Sequence, residues 1–305
     1  MSDIRNVAIL GAGAIGAAFA IKFFDHPDYN TVIIAEGERK QRLDRDGIIV
    51  NGKTYHIPTI DPTHEIAKQD LIIVALKYHH MDDAIPGLDN LVNDKTIFLS
   101  FMNGLDSEEI IGKYYGMENI LFGISVAIDA VREGNEINFS NPGVHYFGAA
   151  NNETLSPNVQ AVKHAFEMVG IQYKIPLDML RELWWKFMIN VGINQSSAIL
   201  GAPYGIFQTQ AEAQSLMEAL MLEVVALAKA SNVNLTEEDV TGWYPIMHTL
   251  SPEGKTSMLQ DVEAKRKTEV EMFSGKVVSL GKKLGIATPV NRTIFQIIRV
   301  MEQNF

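Results

Sequence analysis

Residues 6–24, NVAILGAGAIGAAFAIKFF, constrain the fold more than any other part of the chain. A five-residue apolar strand runs directly into Gly11, Gly13 and Gly16 in G-x-G-x-x-G spacing, and the turn opens a helix over 14–24 that closes at "HPD". Alone the spacing is weak, but between a strand and a helix it marks the first turn of a βαβ unit. The first glycine permits the tight turn, the second leaves room for a pyrophosphate, and the third lets helix and strand pack closely. The free N–H groups of the first helical residues, Ala14 and Ile15, face an anion placed there. Gly11, Gly13, Ala14, Ile15 and Gly16 are therefore expected to bind a dinucleotide. The competing reading is a glycine-rich turn without a ligand, and the agreement of spacing with context weighs against it.

The same alternation continues downstream. TVIIA (31–35), LIIVAL (71–76) and TIFLSF (96–101) read as strands separated by helical stretches, the pattern of a parallel sheet with crossover helices. Between about 120 and 150, "ILFGISVAI", "GNEINFSNPG" and "VHYFGA" carry strand and turn signals without room for helices, so antiparallel strands are expected to finish the sheet. After Pro176 the chain turns almost wholly helical. In residues 211–230, Leu216, Leu220, Val224 and Leu227 mark one helix face, widened by Met217, Met221 and Ala228. Residues 259–285 read as one long helix ending at a glycine cap, with Pro289 beyond. The expected organisation is α/β: a dinucleotide-binding domain over 1–177 and an all-helical substrate and catalytic domain over 178–305.

Composition narrows the partners. A chain of 305 residues that is 47% hydrophobic and 21% charged has room for two cored domains of ordinary globular type. A formal net charge of −11 argues against nucleic acid and anionic membranes. An anionic small ligand stays open, because local Lys and Arg can outvote the global field. There is no cysteine, hence no disulfide framework and no thiolate chemistry. No apolar run approaches a membrane span and the N-terminus lacks a signal pattern, so a cytoplasmic protein is expected. His79, His80, Asp82 and Asp83 in "KYHHMDD" read as an exposed turn rather than a metal site, and no metal is expected.

Glu36 lies at the end of the second strand, 20 residues after Gly16. A carboxylate there suits a ribose diol and repels a 2′-phosphate, so it favours NAD over NADP. Arg39, Lys40 and Arg42 follow closely and offer an opposing pull on a phosphate. The plain alternative is a solvated turn glutamate.

Residues 182–197, ELWWKFMINVGINQSS, pose a different problem. Lys186, Asn190 and Asn194 recur every four residues, so on a helix they form one polar stripe through an otherwise apolar segment. Taken alone, the stripe reads as a snorkelling lysine with asparagines capping neighbouring backbone.

Residues 186–205, KFMINVGINQSSAILGAPYG, together with residues 256–291, from TSMLQDVEAKRKTEVEMFSG to ATPVN, resemble the ketopantoate reductase (2-dehydropantoate 2-reductase) family. The resemblance runs nearly end to end and includes the glycine turn and "FMNG" at 101–104. It implies a Rossmann domain followed by an all-helical domain, and reduction of a 2-oxo acid by hydride from NAD(P)H. It also implies roles. Lys186 is the general acid, and Asn190 and Asn194 bind substrate oxygens. Glu269 sets the lysine and binds substrate, and Ser257 holds the substrate carboxylate. Asn103 sits between cofactor and substrate, and Lys77 lies near the cofactor. Ser257 is alternatively a helix N-cap, with Gln260 completing a capping box.

The chemistry asks for such a set. Hydride arriving at a ketone carbon leaves an incipient alkoxide that needs a proton, and a lysine supplies one if burial lowers its pKa towards working pH. Two departures from the family pattern bear on specificity. Glu36 stands where NADPH-using members usually carry arginine, and "TEVEMFSG" puts Glu271 and Ser274 where the pattern T-E-I-D-x-x-N-G has aspartate and asparagine. If Ser274 faces the cleft, it shortens a pocket side chain.

The leading expectation is a cytoplasmic oxidoreductase that reduces 2-dehydropantoate to pantoate for pantothenate biosynthesis. One alternative is an NAD-dependent D-2-hydroxyacid dehydrogenase of the same family, acting on branched or aromatic 2-oxo acids. Another, of a different class, is a non-catalytic NAD(H)-sensing regulatory protein. The apolar helix faces make a homodimer reasonable.

Overall fold

The computed structural model describes residues 4–64, 67–128, 130–134 and 136–305. It divides into two compact units: Met1–Met102 with Asp106–Leu180, and Asn103–Leu105 with Arg181–Phe305.

The first unit is built on an eight-stranded sheet. Its strands are β1 (Asn6–Leu10), β2 (Asn30–Ile34), β5 (Thr59–Ile60), β6 (Leu71–Val74), β7 (Ile97–Ser100), β8 (Ile120–Val126), β11 (Val144–Gly148) and β12 (Tyr173–Lys174). They lie in the order β12-β11-β8-β7-β6-β1-β2-β5. Strand β1 pairs in parallel with β2 through residues 6–10 on one side and with β6 through residues 7–10 on the other. The chain therefore leaves β1 in one direction and returns in the other. The crevice at such a switch point, beyond the carboxyl ends of the strands, is where open α/β sheets take ligands.

The central strands are apolar without alternation because both faces are covered. Val7, Ile9, Leu71 and Ile73 face one core with Phe19, Phe101, Phe147 and Phe166, while Ala8, Leu10, Ile72 and Val74 face another with Met81, Leu88 and Ile111. His145 of β11 is buried in the first of these, within hydrogen-bond reach of Ser125 at 2.9 Å and against the Phe19 ring, and burial pushes it down to about 4.

The antiparallel finish expected over 120–150 is only partly realised. β8 still runs parallel to β7, and β11 alone pairs antiparallel with β8. The intervening β9 (Val131–Glu133) and β10 (Glu136–Asn138) join β3 (Ile48–Val50) and β4 (Lys53–Tyr55) in a separate four-stranded sheet, ordered β4-β3-β10-β9. Strands of three residues find partners wherever tertiary structure supplies an edge, and local sequence does not name that edge.

The second unit is helical. Its elements include α6 (Met179–Ile189), α7 (Gln195–Leu200), α8 (Tyr204–Thr209), α9 (Ala211–Ala230), α10 (Glu237–Met247), α11 (Ser257–Glu263), α12 (Lys276–Leu284) and α13 (Pro289–Glu302), numbered after α1 (Ala14–Phe24), α2 (Gly37–Asp46), α3 (Met81–Ala84), α4 (Ser107–Tyr115) and α5 (Pro157–Met168) of the first unit. Helix α9 spans the residues read from sequence and buries Met217, Leu220, Met221, Val224, Leu227 and Ala228.

Two expectations fail here. Residues 182–197 are not one α-helix, because Asn190–Asn194 form a π turn between α6 and α7. Nor are residues 259–285 one helix. Helix α11 ends at Glu263 in a Schellman motif, with Arg266 N–H donating to the Asp261 carbonyl at 2.8 Å and Lys265 N–H to that of Val262 at 3.0 Å. Lys265 takes the left-handed conformation (φ +50) usually left to glycine, and the Arg266 guanidinium ties back to Asp261 at 3.0 Å. The chain then crosses to Thr268, whose N–H and hydroxyl both donate to Glu302 of α13, at 2.8 and 2.6 Å. A second π turn, Glu271–Gly275, precedes α12. A charged run with good helix formers is broken by these ties, which side-chain periodicity cannot reveal.

Among the described residues, no helix is long and apolar enough to cross a membrane.

Candidate active site

The glycine turn of the first unit has a separate reason for each glycine. Gly11 has φ +107, and a Cβ on it would lie 2.4 Å from the Ala75 carbonyl oxygen. A Cβ on Gly16 would lie 1.9 Å from the Gly11 carbonyl oxygen. Gly13 has nothing within 4 Å of its Cβ position, and it caps α1 with no side-chain hydrogen bond. The turn is thus packed on the protein side and open over Gly13, where the N–H groups of Ala14 and Ile15 begin the helix. This geometry fits a pyrophosphate.

Gly16→Ala is expected to yield misfolded protein. Gly13→Ala should keep the parent thermal midpoint yet weaken dinucleotide binding about tenfold or more, since no protein atom occupies that space. Thermal melts with a fluorescence titration of NADH separate the two variants, and equal NADH affinity in Gly13→Ala would count against a ligand on this turn.

Lys77 follows Ala75 and Leu76 at the carboxyl end of β6, the strand beside β1, and is half-buried. Glu36 lies two residues beyond β2 as the residue before α2, exposed and making no cap hydrogen bond. Of the three basic residues after it, Lys40 is committed elsewhere, to Asp44 at 2.6 Å and Thr59 at 3.0 Å. Arg39 is half-buried, and burial together with the nearby Arg42 charge lowers its pKa.

The second unit brings together residues far apart in the chain. Asn194 Nδ2 donates to Asn190 Oδ1 at 3.1 Å, Asn190 Nδ2 to Asn103 Oδ1 at 3.2 Å, and Asn103 Nδ2 to Glu269 Oε2 at 3.3 Å. Three carboxamides thus point their donors one way, and the chain ends on a carboxylate. Asn190, Asn194 and Glu269 are buried. Among the described residues, the side chains of these asparagines bond to one another and to Glu269 and not to neighbouring backbone. Asn190 and Asn194 are the first and last residues of the π turn, and the 3.1 Å bond joins its two ends.

Lys186 lies one turn earlier, in α6. Its ammonium is pushed down to about 8 by burial alone. A lysine so placed releases a proton near neutral pH.

Three sequence readings are corrected here. Thr256, not Ser257, is the N-cap of α11: its hydroxyl accepts from Leu259 N–H at 3.2 Å and donates to Ser197 Oγ at 3.1 Å. Gln260 turns to the Lys255 carbonyl instead of completing a capping box, and the Ser257 side chain is exposed. Ser274 does not face a cleft. It is fully buried, with its hydroxyl donating to Asn291 Oδ1 at 3.0 Å. Glu271 pairs with Arg299.

Sequence reading missed Gln195 and Asn291, both fully buried and hydrogen-bonded into this interior. The one usable signal is the polar run Gln195-Ser196-Ser197, which continues the stripe where an apolar helix needs no polar side chains.

Comparison with known proteins agrees with this architecture. The family model for ketopantoate reductase PanE/ApbA matches residues 7–152, and that for its C-terminal part matches residues 178–302. The chain is 26% identical over 306 residues to a 2-dehydropantoate 2-reductase of Streptococcus pyogenes serotype M6, covering 97% of both chains. Among solved structures, a D-mandelate dehydrogenase with NADH and anilino(oxo)acetate superposes with a TM-score of 0.88 at 22% identity, covering 98% of this chain and 99% of that one. A dimeric ketopantoate reductase from Staphylococcus aureus does so with a TM-score of 0.78 at 21% identity and the same coverage. With a Rossmann-type unit, a helical unit and matching family models over most of its length, the chain belongs to the ketopantoate reductase family of oxidoreductases.

Proposed function

We propose that the protein reduces 2-dehydropantoate to pantoate with a nicotinamide dinucleotide, and that Lys186 is its general acid. The observation that carries this reading is the relay Asn194–Asn190–Asn103–Glu269, whose first two members lie on the same helical segment as a lysine with a lowered pKa.

When bound on the glycine turn, the dinucleotide supplies hydride to C2 of the oxo acid. As that carbon becomes tetrahedral, the C=O π electrons move onto oxygen, and Lys186 donates one proton there, leaving a neutral amine and the hydroxy acid. Such transfer contributes roughly 10²–10⁴-fold. Neutral carboxamides at Asn190 and Asn194 bind substrate oxygens without stabilising the lysine's charge. Glu269 terminates the relay and orients Asn103, and the exposed Ser257 hydroxyl takes the substrate carboxylate. Lys77, at the carboxyl end of β6, serves the cofactor.

A second reading keeps this chemistry with NADH and bulkier 2-oxo acids, and the exposed Glu36 carboxylate at the cofactor-selecting position favours it. Steady-state reduction of 2-dehydropantoate, 2-oxoisocaproate and phenylglyoxylate, each with NADH and with NADPH, tests both. Preference for 2-dehydropantoate supports the leading reading, and preference for the bulkier acids with NADH moves the assignment to a D-2-hydroxyacid dehydrogenase. No turnover with any acid sinks both and leaves an NAD(H) sensor. We also propose a cytoplasmic homodimer, the dimer resting on the Staphylococcus aureus relative and the compartment on the biosynthetic role.

A further inference from the structure

Both π turns of the helical unit are tied to one side chain. Gln195 is fully buried, and each end of its carboxamide binds main chain in a different segment. Nε2 donates to the Val191 carbonyl at 2.8 Å, inside the first π turn. Oε1 accepts from Ser274 N–H at 3.0 Å, inside the second. A π turn inserted in an α-helix disturbs the i→i+4 ladder, so main-chain groups there need other partners. Ser196 serves the same need next door, its hydroxyl donating to the Gly192 carbonyl at 2.6 Å.

The arrangement is braced from behind. Asn291 Oδ1 accepts from Ser274 Oγ at 3.0 Å and from Gln195 Nε2 at 3.3 Å. Asn291 Nδ2 donates to the Leu220 carbonyl at 3.2 Å and to Glu223 Oε2 at 2.8 Å. Glu223 is the ionisable group bonded into this network, and it is held by Val290 N–H as well, at 2.8 Å. The Ser274 side chain reaches Asn291, whereas the Gln195 side chain reaches the main chain of both turns.

The first π turn carries Asn190 and Asn194. The second begins two residues after Glu269, whose carbonyl accepts from Met272 and Phe273 N–H. We infer that Gln195 is a positioning residue: it sets the separation between the Asn190/Asn194 stripe and Glu269, and through it the geometry offered to the oxo acid. This rests on the proposed function for its catalytic consequence, though not for the tie between the turns.

Two variants test it in the full-length protein. Gln195→Met keeps length and volume but leaves a buried carbonyl and a buried N–H without partners. It is expected to lose about tenfold or more in kcat/KM for the oxo acid with KM for the dinucleotide unchanged, and to speed hydrogen exchange of the Ser274 amide by a similar factor. Gln195→Glu is the conservative variant. Its protonated carboxyl can donate to Val191 and accept from Ser274, whereas its carboxylate can only accept. Its kcat/KM should therefore approach the parent value at low pH and fall as pH rises, on a limb the parent lacks. A folded Gln195→Met with kcat/KM within about twofold of the parent, or with unchanged Ser274 exchange, overturns the inference. Failure of the parent itself to reduce any oxo acid would overturn the proposed function instead, and the exchange measurement then decides the tie alone.

Discussion

Lys186→Met is expected to lower kcat/KM for 2-oxo acid reduction by roughly 10²–10⁴ while making the protein more stable at neutral pH. Both effects come from one placement. Burial lowers the ammonium from its ordinary 10.5 to about 8. Because the folded-state pKa lies below the unfolded one, the folded state holds this proton less tightly. The penalty of the buried charge is fully present below about pH 8 and is relieved as pH rises from there to about 10.5. At neutral pH it amounts to about 3 kcal/mol, at 1.36 kcal/mol per unit. An apolar isostere removes that penalty along with the proton donor. Chemical denaturation at pH 7 and pH 10 should show the variant's advantage shrinking at the higher pH. In the parent, kcat/KM should fall as pH rises through about 8, because the acid must be protonated to act. A variant that retains turnover within a few-fold would remove Lys186 from the chemistry.

Glu36→Gln is expected to shift the NADH/NADPH ratio of kcat/KM towards NADPH by roughly tenfold, chiefly through KM for NADPH. The magnitude is held down by exposure, since solvent screens much of the repulsion between this carboxylate and a 2′-phosphate. The gain should depend on Arg39, whose half-buried guanidinium lies close enough to Arg42 to feel its charge. An incoming phosphate relieves that like-charge pair. Lys40 should contribute little, being held by Asp44 and Thr59. Adding Arg39→Ala to Glu36→Gln should therefore cancel the gain. A parent that prefers NADPH and is indifferent to Glu36→Gln would make the residue a solvated turn glutamate.

Local sequence carries part of the site in legible form. The three glycines act through contacts a few residues away or across one strand pair, so spacing and context are enough to find them. Helix α9 is legible for the same reason, as a long, regular apolar face with no competing tie. The stripe at Lys186, Asn190 and Asn194 is visible as a pattern, and the family resemblance supplies the role proposed for it. Its geometry is not visible. The bonds that organise it join Asn190 to Asn103 across 87 residues and Asn103 to Glu269 across 166.

Fold class, the glycine turn, the helical second half and the placement of the polar stripe on one helical segment follow from sequence by itself, because each depends on short-range sterics, periodicity or residue identity. Tertiary structure alone decided that two apparent long helices are broken by π turns and a Schellman motif. It also decided that Thr256, and not Ser257, caps α11, that Ser274 is interior, and that Gln195 holds the two π turns. Those outcomes depend on which buried main-chain groups need partners and which distant side chains reach them, and this is settled only when the chain closes on itself.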